Sequence, residues 1–307
     1  IEDGWMRKVG IMSMQRIANY GSFLQAYALK QLIEELGCKV EFVDYHVGAP
    51  VIMENADSKN KFVRKVEKGL ETFQYQAPFA HKLSFIRYKQ TFSKKYMPLL
   101  GITDEMNYNP TLDCLVIGSD EVFNCIQKNS NVGYSLELFG KDNHAKRLLT
   151  YAASFGNTTL IKLEKYKKAN EVGALLKKFD AISVRDANSG TIVEQLTGKE
   201  PVYNLDPVLT YDYMNCCDKI PQVQTNEKYL ILYAYAGRIS NEEAEWISDY
   251  AKKKKLKVYA IGGIQKCADR FVDCSPFEVL AYFRNAEEVI TDTFHGSIFS
   301  VITHRPF

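Results

Sequence analysis

A histidine near the end of the chain stands where a short apolar segment gives way to a helix-like one. It is one of only five histidines, and it lies in the stretch ITDTFHGSIFS (290–300). Residues 288–291 are predicted to form a buried strand and residues 296–302 to begin a helix, which places His295 on the turn between them. An imidazole there can act as a general acid or base. The pattern fits a core histidine bonded to a backbone carbonyl equally well.

Groups that bind anions accompany this histidine. Gly296 and Ser297 would open the helix, and backbone N–H groups at a helix start favour phosphate or carboxylate. Arg185 follows another predicted strand, and its guanidinium can bind either anion through two parallel hydrogen bonds. An ion pair between Arg185 and Asp186 is the structural alternative. Arg238 follows a third strand, so the set as a whole favours an anionic ligand.

Short polar residues follow predicted strands in the first half of the chain. Asn19 and Tyr20 come after the first strand, and Ser119 and Asp120 end the segment DCLVIGSD (113–120). A carboxylate in such a place can orient or deprotonate a hydroxyl group of a ligand. A turn followed by a helix cap explains the same residues without any function.

Several patterns with a specific chemical meaning are missing from the sequence. It has no glycine-rich dinucleotide or nucleotide-phosphate loop, no HExxH and no GxSxG. Its seven cysteines are scattered, odd in number and without CxxC spacing, which argues for reduced thiols and against a zinc site. We therefore expect neither a metal nor a bound cofactor.

The composition is ordinary for a soluble globular protein, with 46% hydrophobic residues, 25% charged residues and a net charge of +2. A charge so near zero argues against a nucleic-acid partner. No apolar run reaches the roughly 18 residues of a transmembrane helix, and the N-terminus lacks the apolar core of a signal peptide. The expectation is a cytoplasmic protein.

The elements that must position these residues alternate between strand and helix. A strand at 7–14, a helix at 21–37 and a strand at 39–45 form a βαβ unit, which predicts a parallel sheet. Ligands in such sheets bind beyond the carboxyl ends of the strands, where the residues named above fall. The predicted fold is α/β, with two Rossmann-like parallel-sheet domains facing a cleft.

The alternation also predicts where the domains divide. Residues 5–216 form the predicted N-terminal domain, the polar stretch 217–228 is predicted to be a linker, and residues 229–307 form the predicted C-terminal domain. The last residues, THRPF, lead towards a further strand. The second domain is therefore expected to be incomplete at its C-terminus.

A basic segment at 57–97 interrupts this alternation. It holds ten Lys or Arg against three Asp or Glu, interleaved with aromatic residues, and is predicted to form helices interrupted near Pro78. The simpler interpretation is an amphipathic helical pair with a solvated basic face. The alternative is a face that contacts an anionic acceptor or the inner surface of the membrane.

Six segments, in order along the chain, resemble the polysaccharide pyruvyl transferase family. Each segment is weak by itself, while six in the family's order are fairly specific and cover most of the chain. The segments are ANYGSFLQAYAL (18–29), LDCLVIGSDEVFN (112–124), YAASFG (151–156), ISVRDANSG (182–190), LDPVLT (205–210) and ITDTFHGSIFS (290–300).

This resemblance implies a fold like that of the GT-B glycosyltransferases. It also implies phosphoenolpyruvate as the donor substrate, with a saccharide or lipid-linked oligosaccharide as the acceptor, on which a cyclic pyruvate ketal would form for a surface polysaccharide. The implied catalytic residues are His295 and Asp120. The implied donor-binding residues are Arg185, Gly296, Ser297, Thr293 and Arg238, and the implied acceptor-binding residues, on the N-terminal domain, are Asn19, Tyr20, Ser119 and Asp120.

The sequence departs from the family pattern at two points. Glu121 and Phe123 stand where the family often has Gln and Trp, in the region expected to meet the acceptor. Thr293 stands where some members have Arg, so Arg238 or Arg284 would have to supply that anion contact.

Two other functions share these features. A GT-B glycosyltransferase with a nucleotide-sugar donor would need a carboxylate for the ribose, and Asp292 is the one candidate. A non-catalytic sugar-phosphate binding protein of the same fold would bind without turnover. A dinucleotide-dependent oxidoreductase is disfavoured by the missing glycine fingerprint. The acceptor sugar and the oligomeric state stay open.

Overall fold

The structure is a computed structural model that describes residues 6–52, 71–127, 129 and 131–307. Contacts divide the chain into two compact units. The first unit holds the described residues of Ile1–Ile17, Gln25–Asn55 and Met97–Tyr211, and the second holds those of Ala18–Leu24, Ala56–Tyr96 and Asp212–Phe307.

The first unit is built on a six-stranded sheet. Its strands are β1 (Lys8–Met12), β2 (Lys39–Phe42), β3 (Cys114–Asp120), β4 (Arg147–Ala153), β5 (Ser183–Val184) and β6 (Val202–Tyr203). They lie in the order β2-β1-β3-β4-β5-β6, and every neighbouring pair is parallel. The buried face of this sheet packs on a core that includes the stacked rings of Phe123 and Phe139.

The second unit is built on a four-stranded sheet. Its strands are β7 (Tyr229–Tyr233), β8 (Lys257–Ile261), β9 (Arg270–Phe271) and β10 (Glu288–Thr291), in the order β10-β7-β8-β9 with parallel pairing throughout. Strand β7 reads YLILY and is buried at every position, as expected for a central strand covered on both faces. The predicted α/β fold with parallel sheets is confirmed, although β9 was not predicted because two residues carry no periodic signal.

The helices follow the predicted alternation closely. They are α1 (Tyr20–Glu35), α2 (Phe79–Tyr96), α3 (Leu160–Lys165), α4 (Ala169–Leu176), α5 (Ala187–Thr197), α6 (Pro207–Thr210), α7 (Tyr213–Cys216), α8 (Asn241–Lys254), α9 (Pro276–Asn285) and α10 (Phe294–Ile302), with 3-10 turns at Met97–Leu100 and Leu136–Phe139. Helix α9 begins with a capping box in which Ser275 and Glu278 bond each other's backbone. Residues 160–176 form two helices and not one, because Lys167 has a φ of 55° and a left-handed residue cannot continue a right-handed helix.

Three segments belong to a different unit from the one that their order in the sequence suggested. Residues 18–24, the described residues of the basic segment up to Tyr96, and residues 212–216 all group with the C-terminal half of the chain. The aromatic face of α2 explains why: Phe85 packs on Phe271 with ring centroids 5.6 Å apart, and Phe92 packs on Tyr20 at 5.7 Å. The simpler interpretation therefore holds for Phe85, Tyr88 and Phe92, which are buried and serve packing. Residues 57–70 of the predicted segment lie outside the described residues, as does residue 5.

No helix in the described ranges combines the length and the apolar composition needed to cross a membrane.

Candidate functional site

The second sheet reverses its strand order between β7 and β10. From β7 the chain passes to β8 and β9 on one side, and it returns as β10 on the other side. Ligands in open parallel sheets bind at such a reversal, beyond the carboxyl ends of the strands. Arg238 follows β7, while Thr293 and His295 follow β10, so three of the predicted site residues meet this condition.

A ladder of threonine hydrogen bonds fixes the start of α10 to β7. The Thr291 hydroxyl donates to the carbonyl of Tyr233 at 2.7 Å, and the Thr293 backbone N–H donates to Thr291 Oγ1 at 3.1 Å. Thr293 Oγ1 in turn accepts the Gly296 N–H at 2.9 Å, which makes Thr293 the N-cap of α10. The Gly296 N–H predicted for an anionic donor is therefore used by this cap.

Glycine at position 296 has a packing role as well. A Cβ there would overlap Thr291 Oγ1, so a side chain would break the threonine ladder. Ser297, the other residue predicted at this helix start, has its hydroxyl 3.3 Å from the Thr293 carbonyl, to which it donates.

His295 lies in the first turn of α10 and is half-buried. Its ring centroid is 5.4 Å from that of Phe294 and 6.0 Å from that of Phe299. On another side the imidazole lies directly against Gly21, where a Cβ would overlap ring atoms Cγ and Nδ1. Gly21 thus allows the backbone of α1 to approach the imidazole, and the structure brings the first loop and the histidine turn together.

Asn19 links this loop to the end of β7. Its Oδ1 accepts the Ser22 N–H at 3.1 Å and caps α1, while its Nδ2 donates to the Tyr235 hydroxyl at 3.0 Å. The next residue, Tyr20, is buried and donates its hydroxyl to the carbonyl of Cys274 at 2.9 Å. Burial raises the pKa of Tyr20 well above its usual range, so this hydroxyl stays protonated. Both residues, expected on the acceptor domain, belong to the second unit.

A small pocket opens beside these residues, at the carboxyl ends of β7 and β8. Its lining includes Asn19, Tyr20, Lys89, Tyr235, Gly262 and Thr293. Lys89 and Tyr235 were not singled out from the sequence. The sequence analysis treated Lys89 only as part of the basic segment. The one feature of the sequence that could have indicated its position is that it directly follows Tyr88, among regularly spaced aromatic residues.

Arg238 lies close to the pocket without lining it. Its guanidinium stacks over the Tyr235 ring at 4.5 Å, and its Nη1 is 3.4 Å from Asp292 Oδ2. The side chain is 57% exposed, so it can reach an incoming anion. Arg284 instead ends α9 and donates to the carbonyl of Pro221 at 3.0 Å. Of the two arginines considered in place of an arginine at 293, Arg238 is the one near the reversal.

The first unit gathers the other predicted residues around Arg185. The guanidinium donates to Asp206 Oδ2 at 2.7 Å and lies 3.4 Å from Asp120 Oδ1. The Ser119 hydroxyl is 3.3 Å from the same Asp206 oxygen. These side chains sit at or just beyond the carboxyl ends of β3, β5 and β6. Asp206 was missed as a site residue, although it lies in the quoted segment LDPVLT.

Arg185 is enclosed by its partners. Its side chain and that of Asp120 are each 8% exposed, and that of Asp206 is 0% exposed. The predicted partner Asp186 instead caps α5, accepting the Ser189 N–H at 2.8 Å. An ion pair is thus the observed arrangement, with different carboxylates from the one expected. Because two carboxylates already balance this cation, its role in binding the donor stays a prediction.

The two residues that depart from the family pattern have separate roles. Phe123 is fully buried and stacks on Phe139 with centroids 4.8 Å apart, so it fills the core. Glu121 is half-buried and accepts a hydrogen bond from Asn124 Nδ2 at 2.8 Å. Within the described part of the chain, no three His, Cys, Asp or Glu side chains are placed to hold a metal ion.

The fold and the site define an α/β protein with two parallel-sheet units and a polar pocket at a strand reversal. The model of the polysaccharide pyruvyl transferase family matches residues 19–307. The chain therefore belongs to the polysaccharide pyruvyl transferase family. No curated protein matches the chain.

Solved structures of sugar enzymes resemble the chain at low identity. The UDP-GlcNAc 2-epimerase from Methanocaldococcus jannaschii is 10% identical with a TM-score of 0.46, over 98% of this chain and 82% of that one. The same enzyme from Rickettsia bellii is 9% identical with a TM-score of 0.47, over 98% and 78%. The E. coli heptosyltransferase WaaC with ADP-2-deoxy-2-fluoro heptose is 11% identical with a TM-score of 0.38, over 97% and 87%.

Proposed function

We propose that the protein transfers the enolpyruvyl group of phosphoenolpyruvate to two hydroxyls of a sugar and releases phosphate. Membership of the family supports a transferase that modifies polysaccharide. The observation that carries the finer proposal is the packing of His295 against Gly21 beside the pocket at the β7–β10 reversal. This arrangement supports the proposal because His295, Thr293 and Arg238 all follow strands at the same edge of one sheet.

The reaction requires a proton to move next to an anion. The CH2 carbon of the enol takes up a proton and becomes a methyl group, which leaves the central carbon electrophilic. One sugar oxygen bonds to this carbon, the bond to the phosphate oxygen breaks, and the second sugar oxygen closes the ketal. The two hydroxyl protons of the diol end on the methyl group and on the phosphate, so the step needs an acid and base but no oxidant.

We assign the proton transfer at the donor to His295, whose place in the first turn of α10 is fixed by the threonine ladder. Arg238 is assigned to the anionic groups of the donor, since its exposed guanidinium stacks on Tyr235 at the same edge. Thr293, Gly296 and Ser297 shape this edge through the cap. The Asn19 amide and the Tyr235 hydroxyl supply further polar contacts.

We assign the acceptor hydroxyls to the polar carboxyl edge of the first unit. Asp120 and Ser119 carry the groups that bind hydroxyls, and Arg185 holds Asp120 in place. Asp120 has a φ of 75°, an uncommon conformation for a residue other than glycine. The acceptor would be a saccharide or a lipid-linked oligosaccharide met in the cytoplasm. A contact between the basic segment and the membrane is tested by salt-sensitive binding to anionic vesicles.

The test is calorimetric titration of the protein with phosphoenolpyruvate and, separately, with a panel of nucleotide sugars. We expect phosphoenolpyruvate to bind and the nucleotide sugars to give no heat of binding. Phosphate release is then measured with a saccharide panel, and the ketal methyl group is sought by NMR. Binding of a nucleotide sugar alone would identify a glycosyltransferase. Binding of phosphoenolpyruvate without turnover on any saccharide would identify a non-catalytic binding protein.

A further inference from the structure

We infer that Lys89 is the cation that binds the anionic donor at the mouth of the second-unit pocket, whose interior has room for no more than a water molecule. The inference rests on the proposed function and extends it to a residue of the basic segment, which then contributes directly to the donor site. Three observations carry it: the position of Lys89 in the pocket, the charge of the pocket lining, and the packing that holds α2 in place.

The first observation is the position of the ammonium group. Lys89 Nζ donates to the carbonyl of Ala18 at 3.1 Å, and Ala18 and Asn19 form one wall of the pocket. The ammonium also lies over the rings of Tyr88 and Phe85, at 5.3 and 5.4 Å from their centroids. A lysine ammonium is a compact charge with three donors, and phosphate sites use it in that form.

The second observation is the charge of the lining. Among the described residues that line this pocket, Lys89 has the only charged side chain, and the others are apolar, hydroxyl, amide or backbone groups. The nearby Arg238 faces Asp292 and is 57% exposed. An anion at the mouth of the pocket therefore meets a positive charge with no carboxylate in the lining.

The third observation is the packing of α2. The residues on either side of the Lys89 position along the helix face, Tyr88 and Phe92, are 1% and 0% exposed. Their rings lie 5.3 and 5.7 Å from the ring of Tyr20, which also lines the pocket. The same aromatic contacts that fix the helix thus fix where the lysine stem begins, and the exposed ammonium is directed to the pocket by its hydrogen bond to the Ala18 carbonyl.

The experiment compares phosphoenolpyruvate binding by calorimetry in Lys89→Met, Lys89→Gln and Lys89→Arg. Loss of a charged hydrogen bond costs about 1.5–3 kcal/mol, so Lys89→Met should raise the Kd roughly 10- to 100-fold. Lys89→Gln keeps a donor for the Ala18 carbonyl and should still lose the affinity, while Lys89→Arg should retain most of it. The Kd of the wild type should also rise with salt more steeply than that of Lys89→Gln.

Lys82→Met is the matched control, because Lys82 lies on the same helix and donates to the backbone carbonyl of Phe73 at 2.8 Å outside the pocket. It should bind phosphoenolpyruvate as the wild type does. Wild-type affinity in both Lys89→Met and Lys89→Gln, with the wild type itself binding phosphoenolpyruvate, would overturn this inference alone. A wild type that does not bind phosphoenolpyruvate would overturn the proposed function and this inference together.

Discussion

The carboxyl edges of the two parallel sheets both carry basic side chains, which are buried at one edge and exposed at the other. At the edge of the first sheet, Arg185 is enclosed by Asp120 and Asp206, and none of the three side chains is more than 8% exposed. At the edge of the second sheet, the cations Lys89 and Arg238 are exposed. Lys89 donates to a backbone carbonyl, and Arg238 stacks on Tyr235 and pairs with the partly exposed Asp292.

This difference shows that the type of a side chain does not determine whether that side chain can bind a ligand. A buried cation needs buried counter-charges, and the pair then behaves as a structural unit whose disruption is costly. An exposed cation stacked on an aromatic ring keeps its charge for a ligand. We therefore expect removal of Arg185 at the first edge to change stability most, and substitutions at the second edge to change donor binding and turnover.

The largest effect is expected from His295→Ala. Loss of a general acid or base lowers kcat roughly 100- to 10,000-fold, while the Kd for phosphoenolpyruvate should change little. Phosphate release and calorimetry measure the two quantities. His304→Asn is the control, because His304 is an exposed histidine of the same unit with a φ of 55°, which Asn tolerates. Unchanged turnover in His295→Ala would mean that His295 does not transfer the proton and that the reaction does not depend on the second edge.

Arg185→Met should show that the first edge, unlike the second, is important for stability. Removing the cation leaves two buried carboxylates uncompensated, and the free energy of unfolding should fall by about 3–5 kcal/mol. Urea denaturation followed by circular dichroism measures it.

The matched control is Arg147→Met, whose pair with Asp180 has the same 2.7 Å distance but a cation that is 70% exposed. Such exposed pairs contribute about 1 kcal/mol or less. Equal losses in both variants would mean that enclosure does not distinguish the Arg185 cluster. The added substitution Asp206→Asn should restore part of the stability lost in Arg185→Met.

Gly21→Ala should have a smaller effect that acts through His295. The new methyl group would overlap the imidazole, and overpacking of this kind costs about 1–3 kcal/mol. We expect kcat to fall because the ring must move. In the His295→Ala background the overlap is gone, so a double-mutant cycle should show that the stability cost of Gly21→Ala largely disappears. Simple additivity would contradict the contact.

Thr293→Ala should have the smallest effect on stability. Loss of an N-cap costs about 1 kcal/mol, and Thr293→Ser should avoid the loss because its hydroxyl can still accept the Gly296 N–H. Ser240→Ala removes the equivalent cap of α8, so it should cost about the same stability. Only Thr293→Ala should also weaken phosphoenolpyruvate binding, since Thr293 lines the pocket. Equal binding in the two variants would argue against a role for this cap in the site.

Local patterns predicted a large part of this structure. Alternating strands and helices predicted parallel sheets, and the motif SPFE at 275–278 has the form of a capping box, whose residues lie only three apart, and it does begin α9. His295 was predicted on the turn before a helix that begins at 296; the helix begins at Phe294, so His295 lies in its first turn, shortly after β10. Each of these predictions depends on neighbours within a few positions.

The sequence by itself determined the order of the elements, the direction of the strands and the turn that carries His295. Only the tertiary structure decided the partners. Arg185 meets Asp206 across 21 positions, and Asn19 meets Tyr235 across 216. The tertiary structure also placed residues 18–24 and α2 in the second unit, and it thereby placed Lys89 beside the pocket. The physical reason is that secondary structure follows from short-range periodicity, whereas ion pairs and pockets form only when distant segments pack together.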